Sequence, residues 1–168
     1  MKITPRWTRC LTAATVLMSA TTIAVSGPAP FASAEESGSR TIEHCLLNVN
    51  GQLPTGEYTT DPIECFETHD EVLFEIHGGA AARAVIGTHY DGLNKTGSTL
   101  TVNGVNCLGG YVNLTPTWVN RVSSTANGCP IVRHYNGANL TGSSQSTTPS
   151  SFNLSTLNNL ADSIQYTT

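Results

Sequence analysis

The sequence predicts an all-β protein: a β-sandwich built from two related motifs, with a small β-hairpin and a short helix in front of it. Two observations predict this fold class. Residues recur with an offset of 45 positions, and turn residues separate short β-branched and aromatic runs. The chain has 168 residues, enough for one ordinary domain or two small ones.

The first 34 residues are predicted to be a signal peptide (1–34). Lys2, Arg6 and Arg9 precede an apolar stretch at 11–25, and the segment closes on Ala-Ser-Ala, a small-x-small cleavage site. Cleavage would remove three of the eight basic residues and none of the twelve acidic ones, so the mature chain would carry a net charge of −7. We therefore expect a secreted, extracellular protein that neither binds nucleic acid nor spans a membrane.

The segment 35–83 is predicted to be an acidic lead-in, with ten carboxylates against two arginines. Residues 42–49 and 63–66 read as two strands, joined by a turn that contains Pro and Gly. Thr68 followed by Glu71 fits a capping box, in which each side chain bonds a free backbone amide at a helix start. A short amphipathic helix is therefore predicted for residues 69–77.

The remainder, 84–168, is nearly uncharged and contains the repeat. Residues 89–98 read HYDGLNKTGS and residues 134–143 read HYNGANLTGS, with seven of ten positions identical. A second pair of similar, Asn- and Ser-containing segments follows the two copies. We therefore expect motif 1 to span 84–127 and motif 2 to span 128–168, packed together because neither buries its apolar face alone.

The two hairpins resemble those of the βγ-crystallin superfamily, especially its secreted bacterial members. The family's Greek-key motif has an aromatic strand and a folded hairpin that ends in glycine, and Tyr90 to Gly97 and Tyr135 to Gly142 match it. The chain doubles back so tightly there that one residue must take a positive φ, which glycine does at low cost. The resemblance implies a two-motif Greek-key β-sandwich.

The first hairpin departs from the family pattern in one position. Lys95 stands where the family has a hydrophobic residue, whereas the second copy has Leu140 there.

The resemblance also implies a calcium site. The family has a loop of the form Asn/Asp-Asn/Asp-x-x-Ser/Thr-Ser in each motif, and oxygens from both loops share two sites. In the first loop here, 119–124, Val119 replaces the first oxygen donor; in the second, 158–163, an aspartate replaces the hydroxyl. If ligands cross between the motifs, a site that uses Ser123 with Asn158 keeps its oxygens. The candidate ligands are Asn120, Ser123, Asn158, Asn159 and Asp162. The alternative is that these side chains only cap backbone groups.

The function implied by the resemblance is binding without catalysis. The family includes the streptomycete metalloproteinase inhibitor and a killer-toxin-like protein, neither of which is an enzyme. We expect a monomer that needs no cofactor beyond possible calcium and that binds an extracellular protein, most simply a peptidase. Neither Gly-x-Ser-x-Gly nor His-Glu-x-x-His occurs in the sequence. The alternatives are a killer-toxin-like antimicrobial effector, against which the acidic charge argues, and a calcium-stabilised structural or envelope protein.

Four cysteines of the mature chain allow three disulfide connectivities. Proximity favours Cys45–Cys65 and Cys107–Cys129, and each bond would stabilise the fold by about 3 kcal/mol in the chain-entropy model.

Histidines and aromatic residues are the remaining candidates for a site. His89 and His134 occupy equivalent positions in the repeat and are predicted to fill core strand positions, because neither has an acidic residue or cysteine at ligand spacing. The other three histidines, His44, His69 and His77, are likewise predicted to have structural roles. Candidates for an exposed anchor at a protein interface are Trp118, Tyr111 and Tyr58, although a core position is the favoured interpretation of Trp118.

Overall fold

The structure is a computed structural model that describes residues 41–78 and 83–168. The predicted signal peptide lies outside these residues. The described residues belong to one compact unit.

Short strands dominate this unit, and one α-helix, α1, lies between the third and fourth of them. The strands are β1 (His44–Gln52), β2 (Tyr58–Thr60), β3 (Glu64–Phe66), β4 (Ala84–Tyr90), β5 (Thr99–Gly104), β6 (Tyr111–Asn113), β7 (Ser124–Asn127), β8 (Ile131–Gly137), β9 (Thr141–Thr147) and β10 (Ser163–Thr167); the helix α1 spans His69–Gly78, and Ala138–Leu140 form a 3₁₀ turn.

The strands form two sheets that enclose one core. The first sheet has the order β2-β1-β5-β4-β7, with β3 also paired to β1, and the second has the order β6-β10-β8-β9. Apolar side chains from both sheets form a single buried cluster, which includes Leu47, Val102, Val132 and Ile164. The predicted all-β sandwich is therefore correct at this level.

The two repeats exchange segments across the core. β6 comes from the first repeat but pairs antiparallel with β10 of the second. In the other direction, Asn153 of the second repeat forms an isolated bridge with Ser124 of the first. The second sheet therefore combines strands of both repeats, whereas the second repeat adds only this bridge to the strands of the first sheet among the described residues.

The lead-in is built into the first sheet. β1 and β3 pair antiparallel with Cys45 opposite Cys65, as predicted. β1 also pairs in parallel with β5 of the first repeat, and its other neighbour β2 lies in the segment predicted to be only a turn. The parallel pairing joins residues about 55 positions apart, so no local pattern in the sequence indicates it.

The helix α1 begins as its capping box predicts. The Thr68 amide donates to the Glu71 carboxylate (3.0 Å), and the Glu71 amide donates to the Thr68 hydroxyl (3.3 Å). Val72 is fully buried, while Phe74 on the opposite face is exposed. The helix extends one residue beyond the predicted 69–77, through Gly78.

Both disulfides predicted from proximity are present, Cys45–Cys65 and Cys107–Cys129. The first joins β1 to β3, and the second joins the loop after β5 to the residues before β8. The second bond therefore ties the first repeat to the start of the second.

The two hairpin glycines have the positive φ that their role requires. Gly97 has φ +83° and Gly142 has φ +77°. At each hairpin an Asx oxygen, from Asp91 or Asn136, accepts the amide of the residue after the glycine at 2.7 Å. A Cβ on either glycine would collide with that oxygen. Both the positive φ and this collision therefore disfavour any larger residue at the two positions.

Candidate calcium site

The candidate site is formed by two loops that lie against each other, 119–124 before β7 and 158–163 before β10. Asn120 and Asn159 occupy equivalent positions and both adopt left-handed φ values, 58° and 55°. Asparagine tolerates this conformation better than most residues. The Asn120 amide donates to the carbonyl of Ala161 (3.0 Å), and the Asn159 amide donates to the carbonyl of Val122 (2.9 Å). This reciprocal pair of bonds fixes the two loops against each other.

Ser123 lies between two oxygen acceptors. Its side-chain Oγ is 2.9 Å from the carbonyl oxygen of Asp91 and 3.0 Å from Oδ1 of Asn159. A hydroxyl carries one proton and can donate to only one of them. Three oxygens therefore share one hydrogen, an arrangement that a hard cation would stabilise.

Two further side-chain oxygens of the same loops have no donor. Oδ1 of Asn158 and Oδ1 of Asp162 are shielded from solvent and, within the described part of the chain, make no hydrogen bond. An acceptor left in this state costs about 1–3 kcal/mol, and more when it is charged. The position of Asp162 is fixed by its backbone, since its amide donates to the Tyr135 carbonyl at 2.7 Å.

The predicted ligands are thus only partly brought together. Ser123 contacts Asn159, the neighbour of its predicted partner Asn158. Val119 provides no side-chain oxygen and instead packs against the core. The sequence analysis did not identify the backbone carbonyl of Asp91, which contacts Ser123. The only signal for it is that Asp91 and Asn136 are equivalent positions of the repeated segment.

An ion pair between Arg121 and Asp91 lies beside the first loop. Arg121 Nη2 lies 2.9 Å from Oδ2 of Asp91, and its guanidinium lies 4.7 Å from the ring centre of Trp118. Leu160 occupies the equivalent position in the second loop. The guanidinium offsets the negative charge of the Asp91 carboxylate near Ser123, whereas the second loop carries the negative charge of Asp162.

The paired histidines of the repeat lie in the core. His89 and His134 are both completely buried. His89 shares hydrogen bonds with the hydroxyls of Tyr166 (2.8 Å) and Thr125 (3.2 Å), and His134 with that of Thr125 (3.0 Å). Burial lowers the pKa of His89 well below its ordinary range and lowers the pKa of His134 to about 4. Both imidazoles are therefore neutral at neutral pH and fill core positions, as predicted.

The aromatic candidates for an interface anchor are in the interior. Trp118 is 1% exposed, and Tyr58 and Tyr111 are each 6% exposed. The anchor prediction is therefore wrong for all three side chains, while the favoured interpretation of Trp118 as a core residue is correct. The large apolar side chains that are exposed are mostly aliphatic, with Phe74 of α1 as the aromatic one among the described residues. Leu108, at 76%, is the most exposed of the large apolar side chains in the described residues.

The one cluster of three or more histidine, cysteine, aspartate or glutamate ligands found in residues 41–78 and 83–168 is Glu43 with Cys45 and Cys65. Because the two sulfurs are bonded to each other, neither is available as a thiolate ligand.

Comparisons with protein-family models, curated proteins and solved structures gave no match. Among the described residues, no helix has the length and apolar character needed to cross a bilayer.

Proposed function

We propose that the protein is a secreted, non-enzymatic binding module of βγ-crystallin type whose sandwich is stabilised by calcium held at the loops 119–124 and 158–163. The observation that carries the proposal is the pair of shielded oxygens without donors, on Asn158 and Asp162. The two disulfides suit an oxidising, extracellular compartment.

Calcium fits the chemistry of these loops. Ca²⁺ prefers six to eight oxygen ligands from carboxylates, amides, carbonyls and water. The loops offer one carboxylate, amide oxygens and the Ser123 hydroxyl beside a backbone carbonyl. Few of these ligands are charged and an arginine lies nearby, so we expect weak binding.

Titration calorimetry of the chelator-treated protein tests this proposal. We expect heat on adding Ca²⁺ and a thermal unfolding midpoint that rises with Ca²⁺ concentration, because the ion binds only the folded state. Asp162→Asn, which keeps the shape of the side chain, should weaken binding. Ser144→Ala, at an exposed serine of β9, is the matched control and should leave it unchanged. Absence of both heat and midpoint shift at millimolar Ca²⁺ would contradict calcium binding.

A second candidate function, inhibition of an extracellular peptidase, is favoured by the loop 105–109 between β5 and β6. Val105 and Leu108 are 61% and 76% exposed on it. The disulfide of Cys107 to the buried Cys129 anchors the loop, and the Asn106 carbonyl accepts the Tyr58 hydroxyl (3.3 Å). A fixed loop loses little conformational entropy on docking, so its exposed leucine suits an apolar pocket of a partner.

An inhibition panel of extracellular metallo- and serine peptidases tests this second function. We expect at least one enzyme to be inhibited by micromolar protein, and Leu108→Ala to abolish the inhibition. Phe74→Ala removes an equally exposed apolar side chain from α1, 75% exposed, and should have no effect. If no peptidase is inhibited, or if both variants behave alike, loop 105–109 is not the inhibitory surface.

A further inference from the structure

Two histidines of the lead-in, far apart in the sequence, lie side by side in the fold. His44 starts β1 and His69 starts α1, and their ring centres are 5.7 Å apart at an interplanar angle of 62°. The pairing of β1 with β5 fixes the first ring, and the capping box of Thr68 and Glu71 fixes the start of the helix that carries the second.

One ring is already oriented by a neighbouring hydroxyl. Nδ1 of His44 lies 3.0 Å from Oγ1 of Thr99 on β5. A histidine that binds a metal ion with one nitrogen commonly donates its other N–H to such an oxygen, which fixes the tautomer and the ring plane. In the tautomer that donates from Nδ1 to Thr99, the lone pair of His44 is on Nε2, on the side of the ring away from Thr99.

The other ring has a nitrogen without a partner. Nδ1 of His69 is shielded from solvent and makes no hydrogen bond within residues 41–78 and 83–168. A desolvated nitrogen without a donor or acceptor costs free energy that a ligand could recover.

The separation of the two rings suits one shared ion. With Zn–N bonds of about 2.0–2.1 Å and a tetrahedral angle, two imidazoles on one ion have ring centres about 5 Å apart. The observed 5.7 Å needs only a small side-chain rotation to reach that value.

We propose that His44 and His69 form a binding site for a divalent transition-metal ion, with Thr99 as the outer partner of His44 and water in the remaining positions. Imidazole nitrogens favour ions such as Zn²⁺ over Ca²⁺, so this site is chemically distinct from the calcium loops. The acidic lead-in around it, including Asp70 and Glu71 in the first turn of α1, attracts cations to this part of the surface.

Zn²⁺ is the probe for this site, titrated calorimetrically into the full chain in excess calcium, so that the result does not depend on calcium binding at the loops. Cys10→Ser is present in every protein compared, because a free thiol would compete for Zn²⁺. His44→Gln and His69→Gln each remove one ligand. His77→Gln is the matched control, since His77 is an exposed histidine in the last turn of the same helix.

We expect one equivalent of Zn²⁺ to bind and each ligand variant to weaken binding at least about tenfold, while His77→Gln leaves it unchanged. In NMR spectra of the ring nitrogens, Zn²⁺ should shift His44 and His69 but not His77. Unfolding midpoints measured without Zn²⁺ identify any variant that fails to fold, and the wild-type ring shifts then remain as the test. No Zn²⁺ binding, equal loss in all three variants, or shifts confined to His77 would overturn the proposal.

Discussion

The two repeats share a backbone but differ in the charge of their side chains. Three equivalent pairs have nearly the same left-handed φ values: Lys95 (61°) and Leu140 (59°), Gly97 (83°) and Gly142 (77°), Asn120 (58°) and Asn159 (55°). The first repeat places the charged residues Asp91, Lys95 and Arg121 where the second has Asn136, Leu140 and Leu160.

The charge difference shows which side-chain properties the hairpin backbone requires and which affect only the candidate site. Asp91 and Asn136 accept the same amide bond at the same distance, because either side chain offers an oxygen there. Charge at these positions is therefore free to vary without changing the fold. It does change the electrostatics of the candidate site, since only the first loop has a guanidinium beside it.

The largest expected effect concerns a feature that the repeats share, the buried pair His89 and His134. Both pKa values are lower in the folded state, so the unfolded chain binds more protons below pH 6.5. Stability is therefore complete above that pH and is lost as the pH falls towards 4. For His134 alone, the change from 6.5 to about 4 corresponds to about 3 kcal/mol.

Urea unfolding at pH 7.5 and 4.5 measures this loss. His77→Gln, at an exposed position, should leave the pH dependence unchanged. The double variant His89→Gln/His134→Gln cannot titrate at these positions and should lose much less stability over the same range. A wild-type free energy of unfolding that is equal at the two pH values would contradict the assignment. The charged and titratable groups facing the pair are each other and the Tyr166 hydroxyl, with Thr125 as the neutral partner.

The next largest effect is expected for glycine substitutions that test whether the two hairpins are structurally equivalent. Gly97→Ala and Gly142→Ala each force a Cβ into a positive-φ position against an Asx oxygen, so each should destabilise the protein by about 2–3 kcal/mol. Gly78→Ala is the control: a Cβ there meets nothing within 4 Å, and the helix should gain slightly. Thermal or urea unfolding gives the values. A loss confined to one hairpin would show that the repeats are not structurally equivalent.

A smaller effect tests the charge difference at the loops. Arg121→Ala removes the guanidinium beside the Ser123 half of the candidate site, so Ca²⁺ should bind several-fold more tightly. Leu160→Ala, at the equivalent position of the second repeat, should leave calcium affinity unchanged. Calorimetric titration of the wild type and both variants measures their Ca²⁺ affinities. If Arg121→Ala and the wild type bind Ca²⁺ equally tightly, Arg121 does not weaken calcium binding.

The smallest effect makes the first hairpin more like the second. Lys95 lies with its Nζ 4.3 Å from the ring centre of Phe152. Lys95→Leu loses this cation–π contact, so it should cost about 0.5–1 kcal/mol in urea unfolding. Arg133→Leu, which removes an exposed cation from β8, serves as the comparison and should cost less. A gain in stability would instead show that the hydrophobic residue suits both hairpins equally.

Local sequence patterns were sufficient to predict several features of the fold. The capping box located the start of α1, the repeat located both hairpin glycines, and proximity along the chain gave both disulfides. Each of these depends on residues that are close in sequence or repeated in it. Interactions between distant residues were not visible: the parallel pairing of β1 with β5, and the contact of Ser123 with Asn159 instead of Asn158.

What the sequence determined by itself is the all-β class, the position of the two hairpin glycines, the start of α1 and the cysteine pairing, because glycine geometry, capping and short loop closure are local. Only the tertiary structure decided which side chains meet. Tyr58 and Tyr111 are buried while Leu108 is exposed, and the packing of α1 near β1 places His69 beside His44. The physical reason is that side-chain environment depends on neighbours brought together by chain folding, which the order of residues along the chain does not show.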